Sequence, residues 1–347
     1  WVFADAAARE PRIEIRRGVN VSGFLVGPSV VNGTPHVAGV RTEQGEEIRA
    51  DLVVDVSGRH SRAPAWLAAI GAQPPHEEQA DCGFTYYTRY FHGRQPERRT
   101  SPLMALGTIS MLTLPGDNGT WSVTIFTSTG DQMLKNLRHD DKWTAVMRAC
   151  PLHAHWLDGE PVTGVLAMSG IVDRYRRFMV NGEPVATGFV AVADAWACTN
   201  PSAGRGLTVG FKHASVLRDV LRDTAGEPAA IVREFDRLTE AEIAPWYRAQ
   251  IAVDRARFAE IEALRDDRAP SPPADDLARN IVSLFRAMGA SADLFRAGLE
   301  YVGTVTPVQH ILERPEVVAG IRAAQAAQQQ PPRIPGPSRA QLLELVS

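Results

Sequence analysis

The pattern in this chain that most clearly indicates a functional site is a carboxylate followed closely by a proline and two glycines. Asp194 ends an apolar run that begins at Gly188, and Pro201, Gly204 and Gly206 lead into a stretch with apolar residues at helical spacing. The first N–H groups of a helix lack partners within the helix and favour negative charge. The pattern predicts a strand end and a helix N-terminus brought to one ligand, or, taken alone, a simple strand-to-helix turn.

The joint pattern resembles the second flavin-binding motif of the para-hydroxybenzoate hydroxylase-like FAD-dependent monooxygenases, Gly-Asp-Ala, a spacer, then Pro-x-x-Gly-x-Gly. The residues that match it are Asp194, Ala195, Pro201, Gly204 and Gly206. The resemblance implies that the Asp194 carboxylate hydrogen-bonds the ribityl hydroxyls of FAD. It also implies that the N–H groups from Gly204 through Arg205 and Gly206 to Leu207 face the pyrimidine end of the isoalloxazine and stabilise negative charge there.

A second, partial match lies upstream. The apolar run from Leu52 to Val54 predicts a buried parallel strand, and Ser57 and Gly58 predict a sharp exit from it. This resembles the family's middle motif, in which a strand ends in Asp-Gly and a Ser follows three residues after the Gly. Gly58 and Ser61 match and are candidate cofactor-binding residues, whereas Ser57 replaces the Asp. The alternative is an ordinary turn after a buried strand.

The chain departs from the family pattern at three further points. Ala193 stands where the family usually has Gly, and Trp196 stands where many members have His. The Gly-x-Gly-x-x-Gly fingerprint that opens the family's FAD domain occurs nowhere in the sequence. The simplest interpretation is that these 347 residues lack the N-terminal part of the FAD domain.

Residues 82 to 130 carry β-branched and aromatic runs with a turn at 115–119, which predicts an antiparallel sheet. In the resembling enzymes a sheet at this place forms the floor of the substrate pocket. Strand alternation puts Tyr87 and Arg89 on one face and Tyr86 on the other. Tyr87 and Arg89 are the candidate substrate contacts, with core and sheet-surface packing as the alternative.

Composition limits the possible partners. A chain of 347 residues exceeds the roughly 250–300 at which one core stops growing, so two lobes are expected. A net charge of −3 without long runs of one sign argues against nucleic acid, and no apolar run approaches a membrane span of about 20 residues. Cys82, Cys150 and Cys198 form no Cys-x-x-Cys pair and are typical of free thiols in a reducing cytoplasm. No set of residues has the spacing of a metal site.

The predicted fold class is α/β (α+β), with the C-terminal part of a Rossmann-type FAD-binding domain, an antiparallel substrate-domain sheet and a helical C-terminal region. The predicted segments are a partial FAD-binding domain (1–79), a substrate-binding β-sheet domain (80–179), the strand and helix of the FAD motif (180–223), a helical region (224–329), and a linker with a short terminal helix (330–347). Finer expectations are the end of a helix over Val2 to Arg9, a strand over 12–16, a hairpin turn over 43–46 and a helix over 64–70.

The motifs of hydrolases and of phosphate-loop proteins are absent, which favours a cofactor enzyme. We predict a FAD-dependent oxidoreductase, foremost a monooxygenase that uses NAD(P)H and O2 on a small organic substrate. One alternative is a reductase or dehydrogenase of the prenyl reductase-like branch, which Ser57 slightly favours. A flavin halogenase is disfavoured because its Trp-x-Trp-x-Ile-Pro signature is absent, and a non-catalytic flavin-binding or truncated module is the last alternative. The substrate and the oligomeric state do not follow from the sequence.

Overall fold

The computed structural model describes residues 1–326 and 334–347. The chain divides into two compact units, in agreement with the two lobes expected from its length. Unit 1 comprises Trp1–Glu78, Tyr175–Ala197 and Gly210–Glu240, and unit 2 comprises Gln79–Arg174, Cys198–Val209 and Ala241–Ser347. Each unit is therefore built from segments that are distant in the sequence.

The α-helices are concentrated in the second half of the chain, as predicted. Their bounds are α1 Val2–Arg9, α2 Ala63–Ala69, α3 Asp140–Arg148, α4 Gly206–Asp223, α5 Pro228–Leu238, α6 Ala244–Arg265, α7 Asp276–Ala287, α8 Ala292–Val302, α9 Val308–Leu312, α10 Pro315–Ala326 and α11 Arg339–Val346. None of the helices in the described ranges is both long and apolar enough to cross a bilayer.

The strands lie mostly before residue 200. Their bounds are β1 Val21–Val31, β2 Thr34–Thr42, β3 Glu47–Arg49, β4 Val53–Asp55, β5 His76–Asp81, β6 Phe84–His92, β7 Leu103–Leu106, β8 Ile109–Pro115, β9 Thr120–Ser128, β10 Glu160–Pro161, β11 Leu166–Met168, β12 Val172–Arg177, β13 Met179–Val180, β14 Glu183–Pro184, β15 Phe189–Ala191 and β16 Ala197–Cys198.

Unit 1 contains an antiparallel sheet and a parallel strand pair. The sheet has the order β1-β2-β3, and the predicted hairpin turn over 43–46 connects β2 to β3, with Gly45 at φ +86°. The pair consists of β4 and β15, with Val53 opposite Phe189 and Asp55 opposite Ala191. The pairing is confirmed as parallel, and it brings the carboxyl ends of two strands to the same edge.

Unit 2 contains the predicted antiparallel sheet. Its strands have the order β10-β6-β9-β8-β7, with β11 also paired to β6, and β6 and β9 stay in register from Phe84 opposite Ser128 to His92 opposite Thr120. The side chains of β6 alternate between two clusters of buried residues. Tyr87 and Phe91 pack in one cluster, and Phe84 packs in the other.

Two of the finer predictions are wrong. No strand forms over 12–16, where Ile13 is 50 % exposed, because an isolated segment without a neighbouring strand has no partners for its backbone hydrogen bonds. The apolar run 52–54 predicts a buried strand, but Val54 is 37 % exposed. A parallel strand is normally covered on both faces, and within unit 1 the described residues leave this one partly uncovered.

The helix at the C-terminus docks back onto unit 2. Ser338 caps α11 in a capping box with Gln341, and the helix places Leu342 and Val346 in the same cluster as Tyr87 and Trp143. The predicted short terminal helix is confirmed. Residues 330–333 of the predicted linker before it lie outside the described residues.

We expect Leu342→Ala to lower the free energy of unfolding by about 2–5 kcal/mol, because it removes a fully buried side chain and leaves a cavity. Glu344→Ala on the exposed side of the same helix is the matched control and is expected to change it by less than about 0.5 kcal/mol. Urea unfolding measures both, and equal effects would show that α11 does not contribute to the core.

Candidate functional site

The pairing of β4 with β15 brings the two motif fragments of unit 1 together. The carbonyl oxygen of Asp55 accepts a hydrogen bond of 2.9 Å from the backbone N–H of Val192, which extends the pairing beyond β15. The turn Gly58–His60 after β4 then contacts the turn Ala193–Ala195 after β15. Gly58 and Asp194, which the sequence predicts as cofactor-binding residues, therefore lie on adjacent turns at one sheet edge.

Asp194 presents an acceptor group at this edge. The residue is exposed, and within the described part of the chain no donor is hydrogen-bonded to its carboxylate. The surrounding protein removes part of the hydration of the carboxyl and raises its pKa, and the positive charge of Arg59 opposes this shift. The carboxylate oxygens are thus available for hydroxyl donors of a ligand.

Asp55 is a functional candidate that the sequence interpretation missed. Its buried carboxylate accepts hydrogen bonds from the N–H of Ser57 at 2.9 Å, from the Ser57 hydroxyl at 2.6 Å, and from the Ser61 hydroxyl. The Ser61 oxygen also accepts from the N–H of Ala63 at 3.1 Å, at the start of α2. The hydroxyl hydrogen of Ser61 is therefore used within the protein, and its FAD contact stays a prediction.

Ser57, which stands where the family's motif has Asp, acts as a donor in this turn. It gives two hydrogen bonds to the carboxylate of Asp55, two positions earlier. Gly58 is needed for its backbone, because its φ of +80° lies in the left-handed region. A carboxylate at the end of a predicted parallel strand, next to serines, is the sequence signal that could have identified Asp55.

In unit 2 the Pro201–Ala203 turn is held by a buried polar network. Oδ1 of Asn200 accepts hydrogen bonds from the N–H of Ser202 at 2.8 Å and from the hydroxyl of Tyr86 at 2.9 Å. The backbone N–H of Asn200 donates to Asp173 at 2.8 Å. Tyr86 is on the face of β6 opposite to Tyr87, and sequence reasoning did not select it.

The helix N-terminus that follows this turn has an open approach. Gly204 is left-handed at φ +63° and closes the turn begun by Pro201, and α4 begins at Gly206. A Cβ added at Gly204 or at Gly206 would meet no heavy atom within 4 Å. Leu207 is 68 % exposed. The N–H of Gly204 donates to the carbonyl of Pro201 at 2.9 Å, so it is not available to a ligand. The N–H groups at the start of α4, from Gly206 onward, can be reached closely by a flat ligand.

The side chain of Arg205 packs on aromatic rings of unit 2. Its guanidinium carbon lies 4.6 Å from the centre of the Tyr301 ring and 5.7 Å from that of Trp246. Nε and Nη1 of Arg205, like Nδ2 of Asn200, are buried without a hydrogen-bond partner among the described residues. The cation–π contacts anchor the loop, and a direct contact of Arg205 with FAD remains a prediction.

Asp254 adds a second buried acid to the same network. Nε2 of Gln250 donates to both of its carboxyl oxygens at 2.9 Å, and the Ser202 hydroxyl lies 3.4 Å from one of them. Burial raises the pKa of Asp254 to about 7, and the negative charge of Asp173 adds to this shift. Burial likewise raises the pKa of Asp173 to about 6. The loop therefore rests on carboxyls that titrate in the neutral range.

Tyr87 and Arg89, the predicted substrate contacts, are engaged inside unit 2. Tyr87 is 3 % exposed and its backbone carbonyl accepts from Nε1 of Trp143. Arg89 pairs with Asp140 at 3.1 Å and donates to the carbonyl of Thr163 at 3.0 Å. These contacts match the packing alternative, and a role of either residue toward substrate stays a prediction.

Metal ligands and reactive thiols are not assembled at either place. The described residues contain no group of three or more His, Cys, Asp or Glu side chains that could hold a metal ion. Cys82, Cys150 and Cys198 are buried, and no disulfide joins them within the described residues. Burial raises the pKa of both Cys82 and Cys150 to about 12, so these two remain thiols.

Comparison with known proteins begins with sequence. No protein-family model matches the chain. Among curated proteins, Protein Rv3254 of Mycobacterium tuberculosis is similar, at 28 % identity over 229 residues. The match covers 61 % of this chain and 44 % of that protein, so the chain spans less than half of that relative.

Solved structures provide the comparison of folds. HpxO of Klebsiella pneumoniae, complexed with FAD and uric acid, superposes with a TM-score of 0.50 and 15 % identity, over 72 % of this chain and 61 % of that one. PqsL of Pseudomonas aeruginosa, a probable FAD-dependent monooxygenase, superposes with a TM-score of 0.51 and 14 % identity, over 72 % and 66 %. The chain has the fold of these flavoproteins. The resemblance inferred from the two motifs is confirmed at the level of fold, as is the α/β class with an antiparallel sheet and a helical C-terminal region.

The raised pKa of Asp254 predicts a pH dependence of stability. Between about pH 4, where the carboxyl titrates in the unfolded chain, and about pH 7, the folded state holds a proton that the unfolded state has lost. Unfolding free energy therefore falls as the pH rises through this window and levels above it. Asp173 contributes with the same sign up to about pH 6.

Between pH 5 and pH 8 we expect the free energy of unfolding to fall by roughly 2–3 kcal/mol less in Asp254→Asn than in the wild type, because the amide does not titrate. Asp267→Asn, at an exposed position of unit 2, is the control and is expected to leave the pH profile unchanged. Denaturant unfolding at both pH values measures the difference. Parallel profiles for wild type and Asp254→Asn would refute a buried, protonated Asp254.

Proposed function

We propose that this protein is a FAD-dependent oxidoreductase, and more specifically a monooxygenase that acts on a small organic substrate. The observation that carries the proposal is the Asp194 carboxylate. It lies on the turn after β15, it is exposed, and none of the described residues donates a hydrogen bond to it. A partly desolvated carboxylate without donors is suited to bind the hydroxyls of a ligand.

Each unit, taken by itself, contains groups suited to one part of the flavin that the resemblance implies. Asp194 would hold the ribityl hydroxyls through its two carboxylate oxygens. The N–H groups of Gly206 and Leu207 would face the pyrimidine end of the ring, whereas the N–H of Gly204 is donated to Pro201. The absence of a Cβ at Gly204 and Gly206 leaves room for close approach. When bound, FAD supplies the redox chemistry, in which reduction by NAD(P)H precedes the transfer of one oxygen atom of O2 to the substrate.

The protein's own contribution is positioning and electrostatics. The partial positive charge at the start of α4 would favour negative charge on a ring bound there. Asp55 and its serine donors hold the turn that lies against Asp194. In unit 2 the network from Tyr86 to Asp254 holds the loop from which α4 starts, and its carboxyls can keep or release a proton near neutral pH.

The wider assignments are part of the same proposal. The chain spans 44 % of Protein Rv3254 and 61 % of HpxO, and the enzymatic activity is part of the proposal. We infer NAD(P)H as the reductant, no nucleic-acid partner, and a cytoplasmic location suited to three cysteines without disulfides. The five segments predicted from the sequence, from 1–79 to 330–347, remain the proposed domain division.

A reductase of the prenyl reductase-like branch is the second candidate. It is favoured by Ser57-Gly58 in place of the family's Asp-Gly, and the contacts of Ser57 with Asp55 show that this serine is integrated in the turn. Both candidates require FAD. They differ in whether the reduced enzyme passes its electrons to O2 together with substrate or to substrate alone.

We expect Asp194→Ala to weaken FAD binding by about 10- to 100-fold, since it removes hydrogen bonds to a charged acceptor. The measurement is titration of the full-length apoprotein with FAD, followed by flavin absorbance. Asp51→Ala, an exposed carboxylate just before β4, is the control and is expected to bind FAD like the wild type. Unchanged FAD affinity in Asp194→Ala would remove the basis of the proposal.

We expect the reduced full-length protein to be reoxidised rapidly by O2 and slowly by organic substrate under anaerobic conditions, as a monooxygenase requires. Stopped-flow absorbance of the flavin follows both reactions. Rapid anaerobic reoxidation by a prenylated substrate would instead establish the reductase alternative.

A further inference from the structure

We propose that Gly210 and His213 of α4 are positioning residues that hold the turn Ala193–Ala195 in place and thereby aim the Asp194 carboxylate at its ligand. The inference rests on the proposed function of Asp194 and concerns residues that neither flavin motif includes. All of the contacts that carry it lie within unit 1.

The turn needs such support because of its backbone. Ala193, directly before Asp194, has a φ of +55°, in the left-handed region that a residue with a Cβ adopts at an energetic cost. Val192 before it is extended, so the chain reverses sharply at Ala193. Strain of this kind persists only where the surrounding structure holds the backbone in that conformation.

His213 provides one half of that support. Its Nδ1 accepts a hydrogen bond of 3.1 Å from the N–H of Ala193. Because an amide can only donate, Nδ1 is unprotonated and the ring proton is on Nε2, which donates to the hydroxyl of Thr239 at 3.0 Å. Both ring nitrogens are thus used, and the tautomer is set by the two partners.

The ring of His213 is also fixed by packing. It is fully buried, stacked on Phe235 at 4.8 Å and edge-on to Trp196 at 5.0 Å. Burial lowers the pKa of His213 to about 3, so the ring remains neutral at any pH near neutrality. Its acceptor nitrogen is therefore always available to Ala193.

Gly210 provides the other half. A Cβ at Gly210 would lie 3.1 Å from the Cβ of Ala193, which is closer than most real contacts of this kind. Gly210 and His213 are one turn apart on the same helix face, so one makes room for the methyl group of Ala193 while the other binds its N–H.

The two departures from the family motif meet this same helix face. Ala193 replaces the usual Gly and packs on Gly210, and Trp196 replaces the frequent His and packs on His213. The structure thus shows a local pairing of replaced residues with helix residues, and Asp194 lies between the two replaced positions.

The first test uses His213→Leu and His213→Asn in the full-length protein, with FAD affinity and the unfolding midpoint of the apoprotein as readouts. His213→Leu removes the acceptor and is expected to weaken FAD binding about 10-fold or more. His213→Asn keeps an acceptor oxygen near the position of Nδ1 and is expected to stay within about 3-fold of the wild type. Equal losses in both variants would overturn the proposed acceptor role.

A double-mutant cycle separates positioning of Asp194 from general stability. If His213 acts through Asp194, then His213→Leu is expected to cause no further loss of FAD affinity in the Asp194→Ala background. An equal loss in both backgrounds would show that His213 supports FAD binding in another way and would overturn the inference. If Asp194→Ala itself leaves FAD binding unchanged, the proposed function fails first, which the same cycle reveals.

Gly210 is tested by a rescue that does not involve His213. Gly210→Ala is expected to weaken FAD binding, and the double variant Gly210→Ala/Ala193→Gly is expected to restore it, because glycine at 193 removes the methyl group that clashes and also adopts positive φ without cost. Failure of Ala193→Gly to restore binding, with a folded protein shown by its unfolding midpoint, would contradict the proposed contact.

Discussion

The parallel pairing of β4 with β15 is the interaction on which the candidate site of unit 1 depends. Two strands that are far apart in the sequence meet with Asp55 opposite Ala191, and the hydrogen bond from Val192 to the carbonyl of Asp55 continues the pairing past the strand ends. Parallel strands deliver their carboxyl ends to one edge, so the turns that follow them must be neighbours. Without this register, the turns that contain Gly58 and Asp194 would not be neighbours.

Buried polar groups hold the turns once the strands have placed them. Asp55 collects three donors from the residues after β4, and Asn200 ties the Pro201–Ala203 turn of unit 2 to Tyr86. Buried acceptors and donors are costly unless paired, so these networks favour one turn conformation over its competitors. Asp194, to which none of the described residues donates a hydrogen bond, contrasts with its neighbour Asp55, whose carboxylate accepts from Ser57 and Ser61.

Local sequence patterns predicted much of the fold because they depend on nearby residues. The alternation in residues 84–91, the turn at 43–46 and the apolar spacing of the C-terminal helices are each decided within a few positions. The strand expected over 12–16 failed because alternation alone does not supply a neighbouring strand. Local pattern also could not show which face of β6 contacts the Pro201–Ala203 turn. Tyr86 and Tyr87 are the same residue type, and only the packing of the folded chain gives them different partners.

The sequence by itself determined the fold class and the spacing from Asp194 to Gly206 that resembles a flavin-binding motif. Strand ends and helix starts are encoded by residues that are neighbours in the chain. Only the tertiary structure decided that Asp55 is the acid of the upstream turn, that Tyr86 reaches Asn200, and that His213 binds the N–H of Ala193. The physical reason is that a hydrogen bond depends on distance and direction in space. Residues remote in sequence acquire these only when strands pair and helix faces pack.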